Sequence, residues 1–240
     1  MIDTLRLREE AQSCGISLEQ ETAEKLDIYA RLLVEWNEKM NLTAITAPGE
    51  IVTKHFVDSL TAGVLLPAAG EEPLTLVDVG TGAGFPGVPL ALWRPDIRLT
   101  LLDSLGKRVE WLTELCRELD LPDVVLLKGR AEELSRRKTH REQYDVAVSR
   151  ALAAMPMLAE LCLPYVKPGG LFLAMKSNKT DEEIAGAEKI IQALGGEKPF
   201  VMDYLVPGTE VYHRVVTVFK ARPTPGSYPR KWTKIKETKV

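Results

Sequence analysis

The 240-residue sequence has little cysteine, little histidine and no long apolar run. Cys14, Cys116 and Cys162 are odd in number and far apart, which favours reduced, packed thiols over a disulfide framework. No Cys/His cluster has metal-ligand spacing, so we expect no bound metal. No stretch approaches the roughly 20 apolar residues that span a bilayer. The first residues also lack the basic and apolar regions of a signal peptide. These absences predict a cytoplasmic protein without a membrane partner.

The charge of the sequence is balanced overall but uneven along the chain. The formal net charge is −3, which argues against a protein that coats nucleic acid indiscriminately. From Lys220 to Val240, however, seven basic residues stand against Glu237 as the single acid. The charge is therefore polarised towards the C-terminus, where we expect a basic tail.

The most informative stretch is an apolar run that meets an acid and then four glycines. Leu76 to Val79 suits a buried parallel strand, and the glycines from Gly80 to Gly87 suit a sharp turn into a helix. Glycines let the backbone approach a ligand, and the free N–H groups at a helix start await an acceptor. This turn is typical of a nucleoside cofactor site.

Two cofactor classes compete for the turn. The stretch from Gly82 to Gly87 satisfies the GxGxxG dinucleotide pattern, which by itself is a weak signal. Asp78 lies two residues before Gly80, where its negative charge disfavours a pyrophosphate and favours the cationic S-adenosylmethionine. We therefore predict S-adenosylmethionine, with Asp78, Gly80, Gly82 and Gly84 in its site. A nicotinamide dinucleotide and a purely structural turn stay open as alternatives.

The whole pattern predicts an α/β protein. From Leu74 onward, strand-like and helix-like segments alternate, which indicates a parallel sheet. The last two strand-like segments form a terminal antiparallel pair, giving the seven-stranded, Rossmann-like sheet of class I methyltransferases, with helices on both faces. Residues 1–70 are predicted as an N-terminal helical cap, 71–221 as the cofactor-binding domain and 222–240 as the basic tail. Within the cap, Pro48 opens a helix that continues through Leu60.

Polar residues follow the predicted strands where a cofactor and a substrate would meet. Asp103 ends the second strand about twenty residues past the glycines, where a carboxylate accepts ribose hydroxyls. The loop after the third strand would lie over adenine, with the backbone of Ala131 at the ring edge. Arg150 and Lys176 end the fourth and fifth strands, beside the switch point of the sheet. Arg150 is thus a candidate site residue, with a rim salt bridge as the alternative.

Five blocks of sequence together resemble one family. They closely resemble the bacterial small-subunit ribosomal RNA guanine-N7 methyltransferases, also known as glucose-inhibited division protein B, over nearly the whole chain. The blocks are Asn41–Thr46, Lys54–Leu60, Asp78–Gly87, Leu101–Arg108 and Ser149–Ala151.

This resemblance implies methylation of one guanosine near the decoding site of small-subunit ribosomal RNA. It implies cofactor contacts at Gly80, Phe85, Ala131, Glu132 and Arg150, with Asp103 and Ser104 at the ribose end. It also assigns Arg130, Arg150 and Lys176 to polar positions of the cleft, which we predict to be the catalytic group. Guanine N7 carries a free lone pair, so catalysis requires alignment more than a general base.

The C-terminal segment both follows the family and departs from it. Tyr228–Lys231 matches a basic terminal segment, whereas relatives often continue with Pro-Gly-Thr-Pro and this chain continues with Trp232–Lys236. We expect the tail to contact RNA phosphates, so that truncation after Lys220 weakens RNA binding and flattens its salt dependence. The predicted RNA-binding residues are Arg222, Arg230, Lys231, Lys234 and Lys236.

Other functions remain compatible with the sequence. A methyltransferase of the same fold could act on another RNA or on a small molecule, because fold alone does not define a substrate. A non-catalytic RNA-binding factor and a nicotinamide dehydrogenase are further alternatives. Nothing in the sequence requires more than a monomer.

Overall fold

The computed structural model describes residues 1–238, which form a seven-stranded sheet between two layers of helices. The strands lie in the order β3-β2-β1-β4-β5-β7-β6. All neighbours are parallel except β7, which is antiparallel to both β5 and β6. This confirms the predicted fold class. The strands are β1 Leu74–Val79, β2 Ile97–Asp103, β3 Val125–Lys128, β4 Tyr144–Arg150, β5 Val166–Ser177, β6 Phe200–Leu205 and β7 Tyr212–Phe219.

Helices cover the sheet on both faces. Two long helices of the N-terminal part and the helices that follow β1 and β2 contribute to the first face, and the later helices cover the second. The helices are α1 Thr4–Ser13, α2 Gln20–Met40, α3 Pro48–Ile51, α4 Asp58–Thr61, α5 Gly87–Trp93, α6 Gly106–Glu118, α7 Ala131–Leu134, α8 Met155–Cys162, α9 Asp181–Ala193 and α10 Trp232–Ile235.

The alternation of side chains along each strand explains the two layers. In β1, Leu76 belongs to the core on the first face and Val77 to the core on the second, and both are fully buried. A parallel strand covered on both faces has this continuous apolar pattern. The glycine turn therefore starts from a strand that is buried on both faces of the sheet.

The N-terminal helices share a core with the sheet and also hold the glycine turn. Tyr29 of α2 donates its hydroxyl to the carbonyl oxygen of Ala83 at 2.7 Å, and Trp111 of α6 donates its indole N–H to the same oxygen at 2.9 Å. Both side chains are fully buried. The turn is thus held in place from the predicted cap as well as from the sheet domain.

The helix predicted from Pro48 to Leu60 is not a regular α-helix. A π-helical segment, Val52–Val57, separates α3 from α4. Such wide turns inside helices occur frequently at functional sites. This one carries Lys54 and His55, which both line the cleft described below.

The C-terminal segment packs against the sheet domain over its described length. Ile235 is fully buried in the second core. Arg230 makes a bidentate ion pair with Glu160 of α8, and the shortest of its contacts measures 2.6 Å. Residues 222–238 are therefore part of the folded body. Lys239, which contributed to the predicted basic excess, lies outside the described residues.

Candidate functional site

The glycine turn between β1 and α5 has the conformation that its sequence predicts. Gly82 adopts φ +61° and Gly84 φ +110°, a region that side chains other than glycine rarely occupy. A Cβ on Gly84 would lie 2.6 Å from the Tyr29 hydroxyl, whereas one on Gly82 would meet no atom nearer than 4.0 Å. Gly84 thus permits close packing behind the turn, and Gly82 leaves space in front of it.

Asp78 lies beneath the turn and organises it. Its Oδ2 accepts the N–H of Gly87 at 2.9 Å and the hydroxyl of Thr81 at 2.7 Å. Its Oδ1 is buried and has no hydrogen-bond partner among the described residues. Burial raises the pKa of Asp78 to about 6, although the two hydrogen bonds act in the opposite direction. The predicted electrostatic role is joined by a structural one, because this carboxylate fixes the start of α5.

Asp103 lies beside the turn at the end of β2. Its Oδ2 accepts the N–H of Gly82 at 3.1 Å and an Arg108 N–H at 3.2 Å, and its Oδ1 accepts the N–H of Leu105 at 2.9 Å. Ser104 is exposed next to it. The structure therefore brings the predicted ribose acid to the glycine turn, 21 residues away in sequence.

These groups fit an adenosyl ligand. The open space in front of Gly82, the unpartnered oxygen of Asp78 and the adjacent carboxylate of Asp103 suit a ligand with hydroxyl groups and positive charge. Ala131, predicted to lie at the adenine end, starts α7 just after β3, the strand next to β2. Leu152 lies against Gly80, where a Cβ would come within 2.7 Å of its side chain.

Phe85 occupies a different environment from the other residues of the turn. It is 5% exposed and stacks between Tyr29, at a ring separation of 5.1 Å, and His55, at 4.5 Å. The guanidinium of Arg150 lies 4.8 Å from its ring centre. Its side chain therefore connects the cofactor turn to the second half of the site.

That second half is a cleft of about 580 Å³ at the carboxyl ends of β4 and β5. The π-helical segment, α4 and the loop between β6 and β7 complete its walls. Arg150 and Lys176 both line it, as predicted. The cleft thus adjoins the cofactor turn at the point where the strand order reverses between β1 and β4.

Arg150 is held from three sides. Its Nη1 donates to Asp58 Oδ2 at 3.0 Å and to the carbonyl oxygen of Lys54 at 3.2 Å. Its Nη2 lies 3.2 Å from His55 Nδ1. Three groups of the cleft thus fix this guanidinium, which argues against the alternative of a single salt bridge at the rim.

Asp58 is the centre of this network and was not predicted. Its Oδ1 accepts the Tyr204 hydroxyl and the His213 Nδ1–H, both at 2.7 Å, while Oδ2 accepts from Arg150. The side chain is 3% exposed. Burial favours the neutral acid, but the hydrogen bond from His213 and the charge of Arg150 outweigh it and hold the pKa of Asp58 below its ordinary value. Asp58 is therefore an anion that orients its three partners.

His55 links the network to the loop after α2. Burial and the charge of Arg150 lower the pKa of His55 to about 3, so the ring is neutral. Because an arginine can only donate, Nδ1 accepts from Arg150 and Nε2 carries the proton. That Nε2–H donates to the Thr43 hydroxyl oxygen at 2.8 Å.

Lys176 and Arg130 lie in different places, although the sequence analysis grouped them. Lys176 donates to the carbonyl oxygen of Ala153 at 2.8 Å and pairs with Glu183 at 2.5 Å inside the cleft. Arg130 lies at the end of β3, where it pairs with Glu132 at 2.9 Å and covers the ring of Trp232. The structure therefore brings together Arg150 and Lys176 but not Arg130.

The predicted RNA-binding tail requires a correction. Lys220, which was counted in its charge, is fully buried and donates to Leu163 O and Thr224 Oγ1, each at 2.7 Å. Arg230 is neutralised by the buried Glu160. The charges of Lys220 and Arg230, which the sequence analysis counted toward RNA binding, are thus compensated inside the protein.

The remaining basic residues of the tail differ in their contacts. Arg222 donates to the carbonyl oxygen of Gln192 at 3.3 Å, and Lys234 pairs with Glu237 at 3.1 Å. Lys231 and Lys236 are exposed. These two lysines are the best placed of the predicted set to meet a phosphate.

Asp58, His55, Tyr204 and His213 are site residues that the sequence did not predict. The block Lys54–Leu60 contributed only to a family resemblance, because no local pattern marks these side chains as functional. Their contacts join positions up to 155 residues apart.

Within residues 1–238, no group of three potential metal ligands occurs, and no helix has the length and apolarity to cross a membrane.

A family model described as rRNA small subunit methyltransferase G matches residues 22–208. A protein of that name from Alkaliphilus metalliredigens is 45% identical over 94% of this chain and 93% of its own length. One from Clostridium botulinum (strain Eklund 17B / Type B) is 48% identical over 92% of each chain. One from Geobacillus thermodenitrificans is 46% identical over 90% of each chain.

Solved structures with similar folds are far more distant in sequence. The Methanococcus jannaschii fibrillarin pre-rRNA processing protein matches with a TM-score of 0.51 and 16% identity, over 69% of this chain and 74% of its own. A predicted O-methyltransferase from Agrobacterium tumefaciens matches with a TM-score of 0.52 and 16% identity, over 70% and 82%. At these identities the likeness supports the fold alone.

Proposed function

The chain belongs to the rRNA small subunit methyltransferase G family, and we propose that it transfers a methyl group to N7 of a single guanosine in small-subunit ribosomal RNA. The family assignment confirms three predictions: the resemblance itself, a methyltransferase activity on ribosomal RNA and S-adenosylmethionine as cofactor. The observation that carries the proposal of a guanine target is the cleft of Arg150 and Lys176 beside the glycine turn.

Each part of the site has a task in this reaction. Gly82 and Asp103 would hold the adenosyl part of the cofactor, and Asp78 would support the turn below it. When bound, S-adenosylmethionine supplies an activated methyl group next to the cleft. The protein residues need only position the guanine, because its N7 already has a free lone pair and no proton must leave before attack.

Arg150 is well suited to orient the guanine. An arginine can donate to O6 of guanine, beside N7, or grip a phosphate, and in both cases the lone pair of N7 stays free to attack the methyl group. Asp58, Lys54 and His55 take both N–H groups of Nη1 and one of Nη2, so the guanidinium is already ordered. Little side-chain entropy is therefore lost when the remaining N–H groups, on Nε and Nη2, meet the base. Because the target base must be reached outside a helix, we expect stacking and phosphate contacts to accompany this recognition.

The proposal is tested with Arg150→Ala and Arg150→Lys in methyl transfer to small-subunit particles and to naked ribosomal RNA. We expect Arg150→Ala to abolish transfer, and Arg150→Lys to restore little of it because an ammonium lacks the planar fork. Mapping of 7-methylguanosine in the RNA identifies the modified position. Unchanged turnover by Arg150→Ala, or a methyl group at an atom other than guanine N7, would contradict the proposal.

A matched control separates substrate binding from cofactor binding. Arg150 lies in the cleft, although the family resemblance also implies a cofactor contact for it, whereas Asp103 contacts the glycine turn. Calorimetry with S-adenosylmethionine should therefore show a large loss of affinity for Asp103→Ala.

As part of the same proposal, we expect the protein to act as a monomer in the cytoplasm, with the ribosomal particle as its partner.

A further inference from the structure

Trp232 is an aromatic side chain in the segment where the sequence departs from its family. It starts α10 and is 38% exposed, although its size favours burial. The guanidinium of Arg130 lies 4.2 Å from the centre of its ring, and Arg130 is itself fixed by Glu132 at 2.9 Å. The contact joins the C-terminal segment to the loop after β3.

The segment that carries Trp232 is firmly anchored. On its C-terminal side, Ile235 is fully buried in the second core. On its N-terminal side, Arg230 pairs with the fully buried Glu160. Arg141 also donates to the carbonyl oxygens of Thr224 and Tyr228, at 2.7 and 2.9 Å. The indole is therefore held at a fixed position beside the loop that follows β3.

We propose that Trp232 and Arg130 form a stacking platform for one unpaired nucleobase of the RNA substrate. The inference rests on the proposed function, since it needs a single-stranded RNA at the carboxyl edge of the sheet. Aromatic rings and guanidinium planes are the surfaces on which proteins stack unpaired bases. The exposed Lys231 and Lys236, on either side of the indole in sequence, supply positive charge for the phosphates of the same strand.

The platform is distinct from the cleft that receives the target guanine. Arg130 follows β3 and Arg150 ends β4, and β2 and β1 lie between these strands. Three steps between neighbouring strands correspond to about 14 Å. The stacked base is therefore a different nucleotide of the same strand from the target guanosine, and the platform helps to place that strand across the cofactor site.

The test compares Trp232→Ala and Trp232→Phe with Phe200→Ala. Phe200 is 61% exposed on β6, at the opposite lateral edge of the sheet, and serves as the control for loss of an exposed aromatic ring. For Trp232→Ala we expect affinity for a ribosomal RNA fragment to fall about tenfold or more, and the KM for that RNA to rise in parallel. Trp232→Phe should retain most of the affinity, and Phe200→Ala should retain all of it.

Two further measurements exclude a merely structural role. RNA should quench the tryptophan fluorescence of the native protein more than that of Trp232→Phe, because stacking brings a base against the indole. Calorimetry should give the same S-adenosylmethionine affinity for all variants. Unchanged RNA affinity and KM in Trp232→Ala, or a loss of cofactor affinity, would overturn the platform. Absence of methyl transfer by the native protein would instead overturn the proposed function.

Discussion

The two halves of the site are built in different ways. In the cofactor half, Gly82 and Asp103 are 21 residues apart, and the contacts follow from a short strand, turn and helix. In the substrate half, Asp58 contacts Arg150 over 92 residues and His213 over 155. The first half is a local motif, whereas the second exists only after distant segments have packed together.

The contrast between local and tertiary contacts also explains why the pKa values of two buried aspartates shift in opposite directions. Burial raises the pKa of Asp78 to about 6, and its Oδ1 has no partner within the described chain. The pKa of Asp58 is lowered instead, since it is surrounded by the donors of Arg150, Tyr204 and His213. Asp58 thus gains its stability as an ion from tertiary contacts that Asp78 lacks.

The largest effect is expected from breaking the substrate half at its centre. Asp58→Ala leaves the buried end of Arg150 without its counter-ion, so we expect the free energy of unfolding to fall by about 3–5 kcal/mol. Chemical denaturation measures this loss. The isosteric Asp58→Asn should keep the fold but lower methyl transfer at least tenfold, because it no longer fixes the guanidinium. Native-like turnover by Asp58→Asn would show that the network does not position Arg150.

A second experiment contrasts the two aspartates through pH. The folded pKa of Asp78 lies above its ordinary value of 3.8, so the folded state binds more protons than the unfolded state between about pH 4 and 6. Stability from this group is therefore lost as pH rises through that range, by on the order of 3 kcal/mol. Asp78→Asn should lack this loss in the ligand-free protein. Parallel curves of unfolding free energy against pH for both proteins would contradict the assignment.

A smaller effect tests the space in front of the turn. Gly82→Ala places a Cβ at φ +61°, which costs about 1–2 kcal/mol of stability. Gly15→Ala, at φ +77° and with no atom within 4 Å of its Cβ, carries the same strain outside the site. We expect both to lower stability alike and only Gly82→Ala to weaken S-adenosylmethionine binding. Equal cofactor affinity in the two variants would remove Gly82 from the cofactor site.

The smallest effect concerns the exposed lysines of the tail. Lys231→Ala and Lys236→Ala should each lower the slope of log affinity against log salt by about 0.7, the value for one contact to a single-stranded phosphate. Lys198→Ala is the control, because its side chain is 82% exposed just before β6. An unchanged slope would mean that these lysines are solvated charges. Truncation after Lys220 no longer tests RNA binding, because it also removes the buried Ile235.

Much of the fold could be predicted because its signals are local. Strands β2 and β4 end at Asp103 and Arg150 as predicted, and β5 ends at Ser177, one residue past the predicted Lys176. The π-helical turn at Val52–Val57 could not be predicted, since its sequence has ordinary helical periodicity. The basic tail was misjudged for a related reason: a count of charges cannot tell that Glu160 and Glu142 lie opposite Arg230 and Lys220.

The sequence alone determined the alternation of strands and helices, the glycine turn and the acid that accompanies it. These depend on residues that are neighbours along the chain, because backbone preferences and apolar periodicity do not require tertiary contacts. The tertiary structure decided which charges are free to act. In the folded chain Asp58 pairs with Arg150, Arg130 stacks on Trp232, and Lys220 is buried. These contacts depend on distances between charges that exist only after the chain has packed.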